Sequence, residues 1–340
     1  MAGMTHPNSF PVEIGGEPFL CRALQEGDNT ALVKLHQLVF GKAFDLGWHH
    51  WKYQTHHNPT LGLWNSQGEL IAHCAGIARD LYLQGIPCSG LQICDVMVHP
   101  QWRGILTRRG PFFWVSRTFY DQHIGKDRSY SLGYGFPSYR HLQLANKLDL
   151  LSDAGTIWEL TWEQNQGQLT EHPWHWKALE LEEGSALWST HLSSAWELMR
   201  THSHSIYLGN RSPKEIDWRY RQHPSHRHYY TALKRPWSKK VRGIAIWRYT
   251  DTHTVLWLDW IGLPEDLARA QRMLAHHVLR GQVNKLQTWA SELIRLALSR
   301  TPYYSEKPVA RIGIPNTSWI DLKTLGHQPW WWMAGDTDFL

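Results

Sequence analysis

The chain has 340 residues, with 35 Lys and Arg against 30 Asp and Glu, a net charge of +5, and 42% hydrophobic against 19% charged residues. That balance excludes a disordered or collagen-like chain, and the length fits two domains. The small basic surplus suits an anionic ligand such as a nucleotide phosphate and is too slight to imply DNA or other nucleic acid. No apolar run reaches the ~18–20 residues of a membrane helix, and the opening MAGMTHPNSF lacks a basic stretch followed by an apolar core. Cys21, Cys74, Cys88 and Cys94 show no CxxC spacing. A cytoplasmic chain with reduced core cysteines, no disulfide frame and no zinc site is therefore expected. The 21 Trp and 22 His read as lineage bias, as core filling or as an aromatic-lined cleft.

In chain order, Asp28 precedes a helix carrying Ala31, Leu32, Leu35 and Leu38 at helical spacing. Strands follow at 61–64, 70–77 and 91–98, the first two around a turn at 65–68. Residues 111–120 form a helix with Phe112, Val115 and Phe119 on one face, and Gly125 lies just beyond it. A Gly-broken strand at 131–136 leads to a helix at 139–148. Residues 163–205 change character, from the polar EQNQGQLTEHP to two helical stretches rich in Trp, and read as a connection. Strands then recur at 228–233, 241–249 and 254–261, followed by a helix at 264–282, a strand at 286–290, a helix at 291–298 and a strand at 330–333. The same order in both halves predicts a tandem of one fold, divided as 15–162, 163–205 and 206–340.

The chemically informative stretch is CDVMVHPQWRGILTRRG, residues 94–110. A strand ends, Pro-x-x-Arg-Gly follows, and a helix begins. Unpartnered amides at a helix start, with Arg103, Arg108 and Arg109 beside them, make a candidate phosphate cradle; the alternative is a basic turn that simply begins a helix. Asp95 sits inside the apolar ICDVMV. An acid there is costly to bury unpaired, so it is either a base, directly or through a water, or half of a salt bridge. By alternation Asp95, Met97 and His99 share one face. Tyr134 and Tyr139 flank GYGFPSYRHLQLANKLDL (133–150) and are candidate acids. His223-x-x-His226-x-His228 has ligand-like spacing but no Cys, Asp or Glu to complete it, and no metal is expected.

Val98, Pro100, Arg103 and Gly104 match the V-x-P-x-x-R-G element of the GNAT acyltransferases, and 133–150 is similar to that family's strand, Gly-Phe-Pro and helix. The chain thus resembles the GNAT (N-acetyltransferase) superfamily, over about residues 20–160 and more weakly over 205–340, where DWRYRQHP (217–224) and GDTD (335–338) are similar to the second domain of tandem members. The resemblance implies an α/β (α+β) architecture of two tandem GNAT-like domains, each a mixed, mostly antiparallel sheet flanked by helices. It also implies acetyl-CoA or another acyl-CoA as co-substrate, without metal. Backbone groups of Met97 and Val98 would hold the acyl-pantetheine arm. Arg103, Gly104, Ile105, Leu106, Thr107, Arg108, Arg109 and Gly110 would cradle the pyrophosphate. Leu106 and Arg108 stand where the family has glycines, Asp149 replaces the Gly of its K-L-G-F, and Ala145 stands where many members carry a tyrosine that protonates the leaving thiolate. No Arg-Gly loop lies between Ile261 and Pro264, so the second domain is expected not to bind CoA. The carboxylate of Leu340 is an alternative base, as in some tandem relatives. The expected activity is direct acyl transfer to a small-molecule or peptide amine. The alternatives are a Fem-type transfer of an aminoacyl group from tRNA, and a non-catalytic binding protein.

Overall fold

Two residues at positive φ, Gly15 and Gly16, turn the chain between β1 (Phe10–Ile14) and β2 (Glu17–Ala23). That hairpin opens the first of two units in the computed structural model, which describes residues 9–42, 44–54, 58–104, 109–163, 176–238, 240–299, 301, 304–319 and 329–337. The first unit comprises Met1–Arg79, Ser89–Ala154 and Ile312–Gly326, and the second comprises Asp80–Cys88, Gly155–Arg311 and His327–Leu340.

In the first unit α1 (Asn29–Phe40) buries Leu32 and Leu35 and ends at Gly41, whose φ of 65° only glycine adopts without strain. Leu38, expected on the buried face, is exposed. Asp28 precedes α1 without capping it, because its carboxylate binds the Arg22 guanidinium at 2.6 and 2.9 Å. The one-turn α2 (Leu46–His49) is capped by Asp45, which accepts from the Trp48 amide, and runs into a π-helical turn at His50–Gln54. Next come β3 (Thr60–Asn65), β4 (Leu70–Leu83), β5 (Ile86–Val98), α3 (Pro111–His123), β6 (Leu132–Gly135), α4 (Tyr139–Lys147) and β7 (Leu151–Glu163). The sheet order here is β1-β2-β3-β4-β5-β6. Antiparallel pairs give way to one parallel pair, β5 with β6. Alternation on β4 sends Leu70 to the layer under α1, with Leu32, Leu35 and Met97, and Ile71 to the layer under α3 and α4, with Val115, Phe119 and Leu142.

The second unit uses part of the segment expected as a connection. β8 (Lys177–Glu180) joins its sheet, and α5 (Ala186–His202) puts Trp188, Leu192, Trp196 and Met199 into its core. After β9 (Tyr207–Gly209) and the one-turn α6 (Pro213–Ile216) the grammar of the first unit returns: β10 (Tyr229–Lys234), β11 (Val241–Tyr249), β12 (Thr254–Gly262), α7 (Leu267–Val278), β13 (Lys285–Ser291), α8 (Glu292–Leu298) and β14 (Tyr304–Pro315), closed by β15 (Trp330–Trp331). The order is β7-β13-β12-β11-β10-β8, with β12 and β13 again the parallel pair. Trp162, Trp257, Trp260, Trp331 and Trp332 are among the largest fully buried side chains, so these tryptophans are core filling and do not line a cleft.

Candidate functional site

β5 does not alternate through its acid. Asp95 has φ 46°, in the left-handed region that an Asp tolerates better than most residues. The kink interrupts the pattern: Cys94 and Met97 are buried while Asp95 and Val96 are half-buried. The kink falls where the parallel pair opens. β5 and β6 pair from Gly90 with Leu132 to Ile93 with Gly135, and β5 then runs on to Val98 past the last pair. The far end of β5 is held from its other side, where the His99 amide donates to the Ile71 carbonyl at 2.8 Å.

The partners of Asp95 come from the π-helical turn. Lys52 Nζ donates to Asp95 Oδ2 at 3.0 Å, and the Tyr53 hydroxyl donates a short bond to the same oxygen. Oδ1 accepts no hydrogen bond among the described residues. Lys52 is almost wholly buried, its ammonium 4.3 Å from the centre of the Trp48 ring, while 16% of the Asp95 side chain stays exposed. Asn58 fixes the end of the turn: its amide nitrogen donates to the Tyr53 carbonyl and its side chain to the Lys52 carbonyl. Burial alone would raise the Asp95 carboxyl, but the Lys52 ammonium and the Tyr53 hydroxyl outweigh it and hold the group below its ordinary range.

Three imidazoles surround this pair. His73 Nδ1 lies 2.8 Å from the Asp95 carbonyl. A carbonyl only accepts, so that nitrogen carries the proton and Nε2 presents a lone pair. His73 Nε2 and His49 Nε2 are buried and have no hydrogen-bond partner among the described residues. His49 packs 5.0 Å from the Tyr53 ring and 5.4 Å from Phe44, which in turn meets His36 at 4.8 Å. Burial, with His73 alongside, pushes the His49 imidazole down to about 4, and burial lowers His73 and His36 as well. The site is thus one ion pair flanked by neutral histidines.

The expected phosphate cradle is described in part. Arg103 donates through Nε to the Val98 carbonyl at 2.9 Å, so it braces the strand end and occupies one of the backbone groups expected to hold a pantetheine arm. Arg109 lies 5.5 Å over the Phe113 ring. Gly110 is the N-cap of α3 without a side-chain cap, Pro111 is its first residue, and a Cβ at Gly104 or Gly110 would meet nothing within 4 Å. Ile105, Leu106, Thr107 and Arg108 lie outside the described residues, as does Leu340. Tyr134 is buried against Phe136, and Tyr139, first residue of α4, is 63% exposed. The hydroxyl that reaches Asp95 is that of Tyr53. Sequence reasoning missed Lys52, Tyr53, His49 and His73; the available signal was Trp51-Lys52-Tyr53, which reappears as Trp218-Arg219-Tyr220. No group of three His, Cys, Asp or Glu among the described residues is placed to hold a metal ion, and none of their helices is long and apolar enough to cross a membrane.

In the first unit, then, the parallel β5–β6 pair ends just before a kink in β5, and the helix that follows starts without a side-chain cap. Residues 21–141 match the family model of the acetyltransferase (GNAT) domain. No curated protein matches the chain significantly. Among solved structures, a protein of Enterococcus faecalis V583 named a probable N-acyltransferase is similar at 14% identity and TM-score 0.64, over 88% of this chain and 72% of that one. A tandem GNAT protein from the clavulanic acid biosynthesis pathway is similar at 12% identity and TM-score 0.55, over 87% and 98%. Saccharomyces cerevisiae N-myristoyltransferase with bound myristoyl-CoA is similar at 10% identity and TM-score 0.53, over 90% and 81%. Residues 21–141 therefore resemble a GNAT domain, and the chain has the fold of GNAT proteins.

Proposed function

We propose that the chain is an acyl-CoA-dependent N-acyltransferase, with acetyl-CoA as donor and an amine as acceptor. The observation that carries this reading is the opening of β5 from β6 at Asp95. Beyond Ile93 the β5 edge is released from β6, and backbone amides there can hold the acyl carbonyl as charge builds on its oxygen. Residues 105–109 would take the pyrophosphate at the start of α3, with Arg103 and Gly104 leading into the loop and Gly110 closing it. The myristoyl-CoA bound in the yeast neighbour supports an acyl-CoA donor on this fold. Transfer proceeds by direct attack: the amine nitrogen bonds to the acyl carbon, the carbon–sulfur bond breaks, and the amine proton passes to a base while the CoA thiolate is protonated. A carboxyl held below its ordinary range by Lys52 and Tyr53 is a weak proton acceptor, which favours Asp95 as the group that attracts and orients an ammonium. Tyr139, exposed at the start of α4, suits the role of acid better than the buried Tyr134. Small polar amines, amino sugars, amino acids and peptide N-termini all fit this chemistry.

Calorimetric titration with acetyl-CoA and CoA tests the reading, with Arg108→Glu/Arg109→Glu as control. Micromolar binding that the double variant abolishes is the expected result. No heat from either nucleotide with the native chain would overturn it, and co-purifying RNA with a steep salt dependence would point to aminoacyl-tRNA as donor instead.

A further inference from the structure

The second unit contains the Lys52–Tyr53–Asp95 element again. A one-turn helix, α6, runs into a π-helical turn at Asp217–Arg221 bearing Trp218-Arg219-Tyr220, as α2 runs into Trp51-Lys52-Tyr53. The Tyr220 hydroxyl donates to Asp259 at 3.2 Å, as Tyr53 donates to Asp95. Asp259 and Asp95 each stand five residues before a proline that opens a 3-10 turn. Each also follows the last residue of its strand's parallel pairing, Leu256 in β12 and Ile93 in β5.

The two copies differ in what is left open. Both oxygens of Asp259 are taken: Oδ1 accepts from Arg211 Nε at 2.8 Å and the Trp260 amide at 2.9 Å, and Oδ2 accepts from Tyr220. Asp336 closes the group by binding Arg211 and Arg219, and Asp259 is wholly buried. In the first unit both bonds fall on Oδ2, Oδ1 accepts none among the described residues, and two imidazole nitrogens on side chains more than nine-tenths buried have no partner. Buried polar atoms without partners call for an explanation: the His73 nitrogen presents a lone pair, and the half-buried Asp95 keeps a carboxylate oxygen that accepts nothing among the described residues.

We propose that Asp95 Oδ1, His73 Nε2 and His49 Nε2 form the binding site for the amine group of the acceptor, a primary ammonium whose several N–H groups they receive, and that the second unit holds a closed, structural copy of the same element. This deepens the acyltransferase reading and rests on it for the identity of the ligand as a substrate. Lys52 and Tyr53 are positioning residues, since they act through Asp95.

The test uses the full chain labelled with nitrogen-15 at histidine. Its probes are n-butylammonium, which offers three N–H donors, and tetramethylammonium, which offers charge without donors. The expected result is that n-butylammonium shifts the Nε2 resonances of His49 and His73 and tetramethylammonium leaves them in place. His73→Asn keeps a donor for the Asp95 carbonyl and removes Nε2, and should weaken the n-butylammonium response at least tenfold with an unchanged melting temperature. Should that variant fail to fold, His49→Asn carries the same prediction. An equal response to both cations, or none to either, would overturn the proposal. Calorimetry with acetyl-CoA on the same sample separates the two claims: a chain that binds acetyl-CoA and ignores n-butylammonium keeps its donor and loses this acceptor site.

Discussion

Asp95 does two separable things, and substitutions can take them apart. Its backbone sits at φ 46°, where a residue with a Cβ is strained and glycine is not. Its carboxylate compensates the almost wholly buried Lys52 ammonium, and removing one partner of such a pair leaves a charge without compensation. Asp95→Asn keeps a side chain suited to the left-handed region but loses the ion pair. Asp95→Ala loses the pair and keeps the strain, and Asp95→Gly loses the pair and releases the strain. Melting curves should place Asp95→Ala below Asp95→Gly by about 1 kcal/mol, and Asp95→Asn/Lys52→Met should recover part of what Asp95→Asn alone loses. If Asp95→Ala proves as stable as Asp95→Gly, the kink is not a source of strain. Tyr53→Phe removes one charge-assisted bond and should cost about 1.5–3 kcal/mol.

At the scale of elements, the strands and helices with strong periodicity were legible and the turn that completes the site was not. Residues 111–120 and 139–148 carry apolar residues at helical spacing, and the structure has α3 and α4 there. β7 and β14 were missed because neither alternates: β14 begins with an exposed run containing Pro308. Asp95 was legible as an anomaly, a lone acid among apolar residues. Its partners were not, because a π-helical turn has no characteristic spacing and lies 42 and 43 residues upstream. Only the repetition of Trp-Lys/Arg-Tyr could have flagged it. The second copy offers a test of that element. A Cβ on Gly335 would overlap the Tyr220 hydroxyl, which is buried and bonded to Asp259. Gly335→Ala must therefore push Tyr220 off its carboxylate, and about 2–4 kcal/mol of stability should go with it. The double variant Gly335→Ala/Tyr220→Phe should cost less than the sum of the two single changes; strict additivity in denaturant melts would show that the two groups do not compete for the same space.

For the whole molecule, the surplus of histidine sets the response to acid. His49 is pushed down to about 4 and His228 to about 3, chiefly by burial, and His36, His73, His123, His141 and His226 are lowered for the same reason. A histidine whose folded pKa lies below the unfolded value of about 6.5 binds fewer protons folded than unfolded between those two values. Stability is therefore full above about pH 6.5 and is lost as pH falls through that window. The lowered Asp95 has the same sign but acts at still lower pH, where its carboxyl begins to protonate. Glu183 and Asp259, which burial raises, oppose the trend over the range where their folded forms hold the extra proton. With seven histidines on one side, acid destabilisation should begin near pH 6, well above the range in which carboxylates titrate. His49 alone should cost about 2 kcal/mol between pH 7 and pH 5. His49→Gln, which has no proton to gain, should flatten the melting temperature against pH over that interval, whatever its effect at pH 7. A variant whose slope matched the native one would mean that His49 takes up its proton as readily in the folded chain as in the unfolded one, and below about pH 6.5 its Nε2 could then receive no N–H group from an acceptor amine.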